Sequence, residues 1–206
     1  MENSFGLLEV KGVAAAYYAL DMMLKNTSVE YAADEKNLGA GLVTVIIKGN
    51  IAAVTNAIEF GKREAEKVNK VLTAASISNP DQELASFILR NNPSYINKNT
   101  INVDKEEDKV KKAIGFVEIY GYATSLITAD TALKSSNVSL LGLDKTKGLA
   151  DTPGLIMFLK IAGNLDDVSM AVEAAVNISK KYAGVVSHTV LAQPDSMIKT
   201  LIKKGI

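Results

Sequence analysis

The 206-residue chain has no cysteine, no tryptophan, a single histidine and only four prolines. Without cysteine, disulfides, thiolate metal sites and cysteine-ligated iron–sulfur clusters are excluded. His188, in "VVSHTVLA", has no second histidine to share a zinc ion and no triad partners beside it, so it reads as a strand residue satisfied by packing or a backbone contact. Net charge is lacking as well. The 23 basic side chains are balanced by 23 acidic ones, which gives no electrostatic case for nucleic acid or an anionic membrane, since both reward a cationic surface. No apolar run approaches the ~20 residues that cross a bilayer. "MENSFGLLEV" has neither the basic start nor the apolar core of a signal peptide. A cytosolic protein is therefore expected. No nucleophile–base pair and no facing carboxylates stand out, so an enzyme is not expected and no cofactor is implied.

What the chain does contain is itself, twice. "FGLLEVKGVAAAYYALDMMLKNTSVEY" (5–31) aligns with "IGFVEIYGYATSLITADTALKSSNVSL" (114–140) at a constant spacing of 109, pairing Gly6 with Gly115, Glu9 with Glu118, Gly12 with Gly121, and Asp21 and Lys25 with Asp130 and Lys134. From "KGNIAAVTNAI" (48–58) and "AGNLDDVSMAV" (162–172) onward the spacing is 114, so five extra residues fall between Leu140 and Gly154. A tandem duplication of a unit of roughly 90 residues follows. It divides the chain into domains at 1–90 and 113–206, with the polar stretch "NNPSYINKNTINVDKEEDKVKK" (91–112) as linker. A hydrophobic content of 48% is enough for two small cores.

Each unit reads β-α-β-β-α-β with a short terminal helix. "GLLEV" and "GFVEI" alternate as strands, "VAAAYYALDMMLKN" has helical apolar spacing, and "LVTVIIKG" and "LIMFLKIAG" are apolar enough for central strands. Asn50 and Asn164 stand at N-cap positions, and Asp166 and Asp167 fall in the first turn that follows. "VLTAASIS" and "VVSHTVLA" make the last strands, and Pro80 and Pro194 are expected to open the terminal helices. The fold class is α+β, with helices packed on one face of an antiparallel sheet. Tyr17-Tyr18 and Met22-Met23 are expected in core or subunit interface.

Gly39-Ala40-Gly41 raises the question of function. A phosphate loop needs G-x-x-x-x-G-K-[ST] or G-x-G-x-x-G between a strand and a helix. This cluster precedes a strand, and no Lys-Ser/Thr pair follows it. An ordinary hairpin turn satisfies the local pattern, because glycine reaches positive φ cheaply. By the same local logic Lys25 and Lys134 are solvated lysines at helix C-termini.

"GAGLVTVIIKGNIAAVTNAI", together with the repeated "GLLEVKGVAAAYYALDMMLK" and "GFVEIYGYATSLITADTALK", resembles the shell proteins of bacterial microcompartments. The resemblance covers both repeats. It implies two tandem ferredoxin-like BMC domains, of the unpermuted single-layer type. It also implies a homotrimer of pseudohexagonal outline, tiling beside hexameric shell proteins, with a central pore for small polar metabolites. By position, the resemblance puts Asn37, Leu38, Gly39 and Ala40 at the pore from the first loop. From the longer second loop it puts Lys145, Lys147, Gly148, Asp151, Thr152 and Pro153 there. Lys25 and Lys134 match the edge lysine used for tiling, although Asn79 and Gln193 stand where an arginine precedes the last proline in the family. Some tandem members hold an iron–sulfur cluster through a loop cysteine; Gly39 occupies that position here. The implied location is the shell of a cytoplasmic microcompartment. A duplicated α+β small-molecule-sensing protein is the alternative reading of the same fold class.

Overall fold

A computed structural model of the chain describes residues 4–90, 113–146 and 155–204. The chain divides into two compact units, Met1–Asn99 and Thr100–Ile206. The proposed linker, 91–112, lies outside the described residues.

In the first unit the elements are β1 (Ser4–Lys11), α1 (Val13–Asn26), β2 (Glu30–Glu35), β3 (Leu42–Gly49), α2 (Ile51–Glu66), β4 (Val71–Ile77) and α3 (Gln82–Leu89). The second unit repeats the series as β5 (Ala113–Tyr120), α4 (Tyr122–Ser135), β6 (Val138–Thr146), β7 (Ile156–Gly163), α5 (Leu165–Ser179), β8 (Val185–Leu191) and α6 (Ser196–Lys204). Both sheets have four antiparallel strands in one order, β2-β3-β1-β4 and β6-β7-β5-β8. Their irregularities match too. The β2–β3 ladder shifts register between Tyr31 and Ala33, and the β6–β7 ladder between Leu140 and Gly142. Each of these bulges keeps the alternating faces in phase while bending an edge strand.

In the first unit, Leu8, Val10, Val43, Val45 and Ile47 point to one face of the sheet and pack with Ala15, Ala16, Ala19 and Met23 of α1 and Val54, Ala57, Ile58 and Ala65 of α2. Alternation on the strands and a 3.6-residue period on the helices produce this single layer-on-layer core. Asn50 caps α2, its side chain accepting from the Ala53 N–H at 2.8 Å. Among the described residues, no helix is long and apolar enough to cross a membrane.

Three local expectations need correction. Pro80 and Pro194 do not open the terminal helices: α3 begins at Gln82 and α6 at Ser196. Asp81 and Asp195 cap them, accepting from the Glu83 and Met197 N–H groups, each at 2.8 Å. A carboxylate that can satisfy a free N–H takes the cap, and the proline lies just before it. Asn164 holds the capping backbone conformation, but its side chain makes no capping bond. That turn carries Asp166 and Asp167, whose charge favours the helix N-terminus. His188 is exposed on β8, so packing does not satisfy it, and what remains of the expectation is its backbone pairing with Val117 of β5.

Candidate functional site

The loop between β2 and β3 is a chain of left-handed residues: Gly39, Ala40 and Gly41 have φ of 73°, 51° and 71°. The Leu42 N–H donates to the Gly39 carbonyl at 2.9 Å, closing a turn whose two central residues both have positive φ. That is the primed geometry matching the twist of paired strands, and it explains the glycines. An added Cβ at Gly39 or Gly41 would meet nothing within 4 Å, so the loop opens onto free space.

The loop is also anchored. The Gly12 N–H, at the start of α1, donates to the Gly41 carbonyl at 2.7 Å, and Gly12 sits at φ 94°. The second unit repeats the tie, the Gly121 N–H donating to the Leu155 carbonyl at 3.0 Å with Gly121 at φ 83°. The base of each hairpin loop is thus bonded to the start of the first helix of its unit.

Asn37, Gly39 and Ala40 are exposed, and the Asn37 N–H is held by the Glu35 carboxylate at 3.0 Å. Leu38 differs. Its side chain is 1% exposed, so it anchors the loop in the protein and offers no surface to an opening. Burial of an apolar side chain outweighs its exposure to water, and the loop's polar and small residues are left outside. Of the second loop, Lys145 is exposed near the end of β6, while Lys147, Gly148, Asp151, Thr152 and Pro153 lie outside the described residues. Across the loop's base the Thr146 hydroxyl donates to the Ile156 carbonyl at 3.2 Å.

Lys25 and Lys134 each pair with the aspartate one turn earlier, Asp21 at 2.7 Å and Asp130 at 2.5 Å. Acid preceding base by four residues is the favourable order on a helix. Lys25 is the more open of the two.

One cluster beside the first loop escaped sequence reasoning. The Tyr17 and Tyr31 hydroxyls donate to opposite oxygens of Asp34, at 3.1 and 2.6 Å, and Lys36 pairs with Asp34 at 3.1 Å while lying 5.0 Å from the centre of the Tyr17 ring. Burial pushes the Asp34 carboxyl upward, but the hydrogen bonds from Tyr31, Lys36 and Tyr17 outweigh it and hold the group below the usual carboxylate range. The Tyr31 phenol is raised far above its ordinary value, first by burial and then by its bond to Asp34. Tyr17 and Asp34 are seventeen residues apart, beyond any local pattern. The available signal was the other repeat, which puts Leu126, Leu140 and Leu143 at the positions of Tyr17, Tyr31 and Asp34.

Together these features define a class: a tandem α+β protein whose two halves share one sheet order, one register and one anchored hairpin loop. The BMC domain matches residues 4–80 and 113–194. The chain therefore belongs to the BMC-domain family, the shell proteins of bacterial microcompartments, and carries the domain twice. The bacterial microcompartment shell protein PduT of Citrobacter freundii is 27% identical over 204 residues, which span 98% of this chain and all of PduT. The carboxysome assembly protein CcmO of Synechococcus elongatus is 26% identical over 200 residues, 97% of this chain and 68% of CcmO. PduA of Salmonella typhimurium is 34% identical over 87 residues, covering 42% of this chain and 92% of PduA, as a single copy of the domain would. A crystal structure of a microcompartment protein from Desulfitobacterium hafniense superposes with a TM-score of 0.71 at 26% identity, over 98% of this chain and all of that one.

Proposed function

We propose that three copies of this chain close into a pseudohexagonal ring, with the 36–41 loops of the first units alternating with the second-unit loops around a central pore. The ring tiles beside hexameric shell proteins, Lys25 and Lys134 lie at its edges, and the pore passes small polar metabolites. No chemical step is assigned to the chain; its role is to enclose and to admit.

The observation that carries the reading is an imbalance between two matching helices. In α4, Leu126, Ile127, Asp130 and Leu133 are all buried. At the same places on α1, Tyr17 and Tyr18 are 40% exposed and Leu24 39% exposed, and Val13 beside them is exposed as well. The same apolar positions are thus buried on one first helix and exposed on the other. A head-to-tail contact that repeats and closes covers that face in every copy. The open space around Gly39 and Gly41 fits a rim, where exposed backbone groups and small side chains let polar solutes pass without tight binding.

Ala40 is the position at which to test the pore. It already holds φ 51° with a side chain, so enlarging it adds no new left-handed strain. Ala40→Trp leaves the assembly intact and slows passage of a small polar solute into shells reconstituted with this chain as the pore component. Unchanged flux with the assembly intact would rule out the first loop as the rim.

A further inference from the structure

Lys160 is a buried cation in the middle of the second sheet. It stands on β7, 3% exposed, opposite Phe116 of β5 and Gly142 of β6. The matching residue of the first unit is Ile46, equally buried, so the site demands an apolar side chain in one half and holds a charge in the other. A buried ammonium is costly unless its hydrogens are satisfied. Here they are. Lys160 Nζ donates to Asp144 Oδ2 at 2.5 Å and to the Ile202 carbonyl at 3.2 Å.

Three further details show that the place is built around the lysine. Gly142 leaves room, since a Cβ there would come within 3.1 Å of Lys160 Cε; Ala33 holds that place opposite Ile46 in the first unit. Asp144 supplies the counter-charge from the same edge strand. The second acceptor belongs to the C-terminal helix α6. Ile202 is among its last residues, where backbone carbonyls lack partners within the helix and a cation is favoured by the helix dipole.

Apart from that bond, α6 is thinly held among the described residues. Ile202 packs on the Ile114–Ala162 cluster with Phe116 and Leu141, while Met197 and Leu201 are 62% and 54% exposed. A nine-residue helix does not persist in water without docking. The terminal helix of the first unit contrasts with it: α3 buries Leu84 and Ile88.

We propose that Lys160 is a positioning residue, a charge latch that fastens the C-terminal helix over the outer face of the second sheet. The helix is a cover whose release bares the apolar surface of Ile114, Phe116, Leu141 and Ala162. The inference does not depend on the pore.

Hydrogen–deuterium exchange on the full chain tests it. Lys160→Met removes the cation while keeping an apolar stem, and amides of 196–204 exchange at least tenfold faster while those of β5 and β7 keep their protection. Asp144→Asn, at a partly exposed side chain, gives a smaller acceleration confined to the same segment and serves if Lys160→Met fails to fold. Wild-type protection of 196–204 in the folded variants would overturn the latch. So would loosening of β5 and β7 to the same degree as the helix, which would make Lys160 a general core residue.

Discussion

In the first half of the molecule Met23 of α1 lies over Gly61 of α2, where an added Cβ would come within 2.4 Å of the methionine sulfur. In the second half the same two places hold Ala132 and Ala175, a small–small pair in place of large and absent side chains. The neighbouring pairs are exchanged just as consistently. Ala19 and Ala65 pack as apolar residues, while Thr128 and Ser179 share a hydroxyl–hydroxyl hydrogen bond of 2.7 Å. The Tyr18 hydroxyl donates to Glu64 at 3.1 Å, and Lys67 pairs with the same carboxylate at 2.6 Å; the second unit has Ile127 and Ile178 in the places of Tyr18 and Glu64. The two units share a backbone, and their helix seams differ in facing pairs. A close-packed interface tolerates changes of volume or polarity mainly when both sides change together.

Other features were not free to diverge. Gly6 and Gly115 lie where a helix presses on the first strand, and a Cβ would come within 2.7 Å of Ile58 in one unit and 2.6 Å of Val172 in the other. Gly12 and Gly121 keep the same helix-start geometry and the same bond to the hairpin loop. The shared features set the distance between layers and the anchoring of the loops; the differing ones set how the two helices of each unit pack on one another.

The largest effect that separates the halves is at Met23. Met23→Ala alone empties a fully buried site and costs about 2–4 kcal/mol. Adding Gly61→Ala recreates the Ala132–Ala175 pair and recovers about 1 kcal/mol or more, through refilled space and better helix propensity. Urea unfolding of the wild type, both single variants and the double variant measures that coupling; strict additivity would contradict the paired exchange. A smaller effect of opposite sign is expected in the second half. The Thr124 hydroxyl is buried without a hydrogen-bond partner among the described residues, and its counterpart is the apolar Ala15. Thr124→Val therefore stabilises by about 1 kcal/mol, read as a rise in urea midpoint, whereas a loss would show that the hydroxyl has a partner in the assembly.

The smallest expected difference depends on pH. Asp34 is held below the usual carboxylate range in the folded chain, so its contribution is fully present above the unfolded value near pH ~4 and is lost as the pH falls through the lower folded value. Asp34→Asn flattens the acid limb of the first unit's stability, followed by exchange within residues 4–90. Leu143 stands at the matching place in the second unit, so exchange within residues 155–204 serves as the internal control and stays unchanged.

Much of this architecture was legible beforehand because it is written locally and then repeated. "VAAAYYALDMMLKN" and "LVTVIIKG" coincide with α1 and β3 residue for residue, since periodicity and β-branching act within a few positions. Position alone set the loop, but the burial of Leu38 within it is a tertiary property that no local pattern carries. Prolines and aspartates both favour helix starts, and only geometry decides that Asp81 and Asp195 take the caps while Pro80 and Pro194 lie just before them. Lys160 appeared as one lysine in an apolar strand; its meaning lies in Asp144, sixteen residues away, and in Ile202, forty-two away.

The central claim is that the duplicated chain closes on itself in threes. Native mass spectrometry of the purified protein at physiological ionic strength tests it most directly. The account predicts a dominant species of three times the 22.0 kDa chain mass, reduced to single chains when Tyr17 and Tyr18 on the open face of α1 are both changed to aspartate. A wild-type protein that stays monomeric across micromolar concentrations, or assembles in twos, would contradict it.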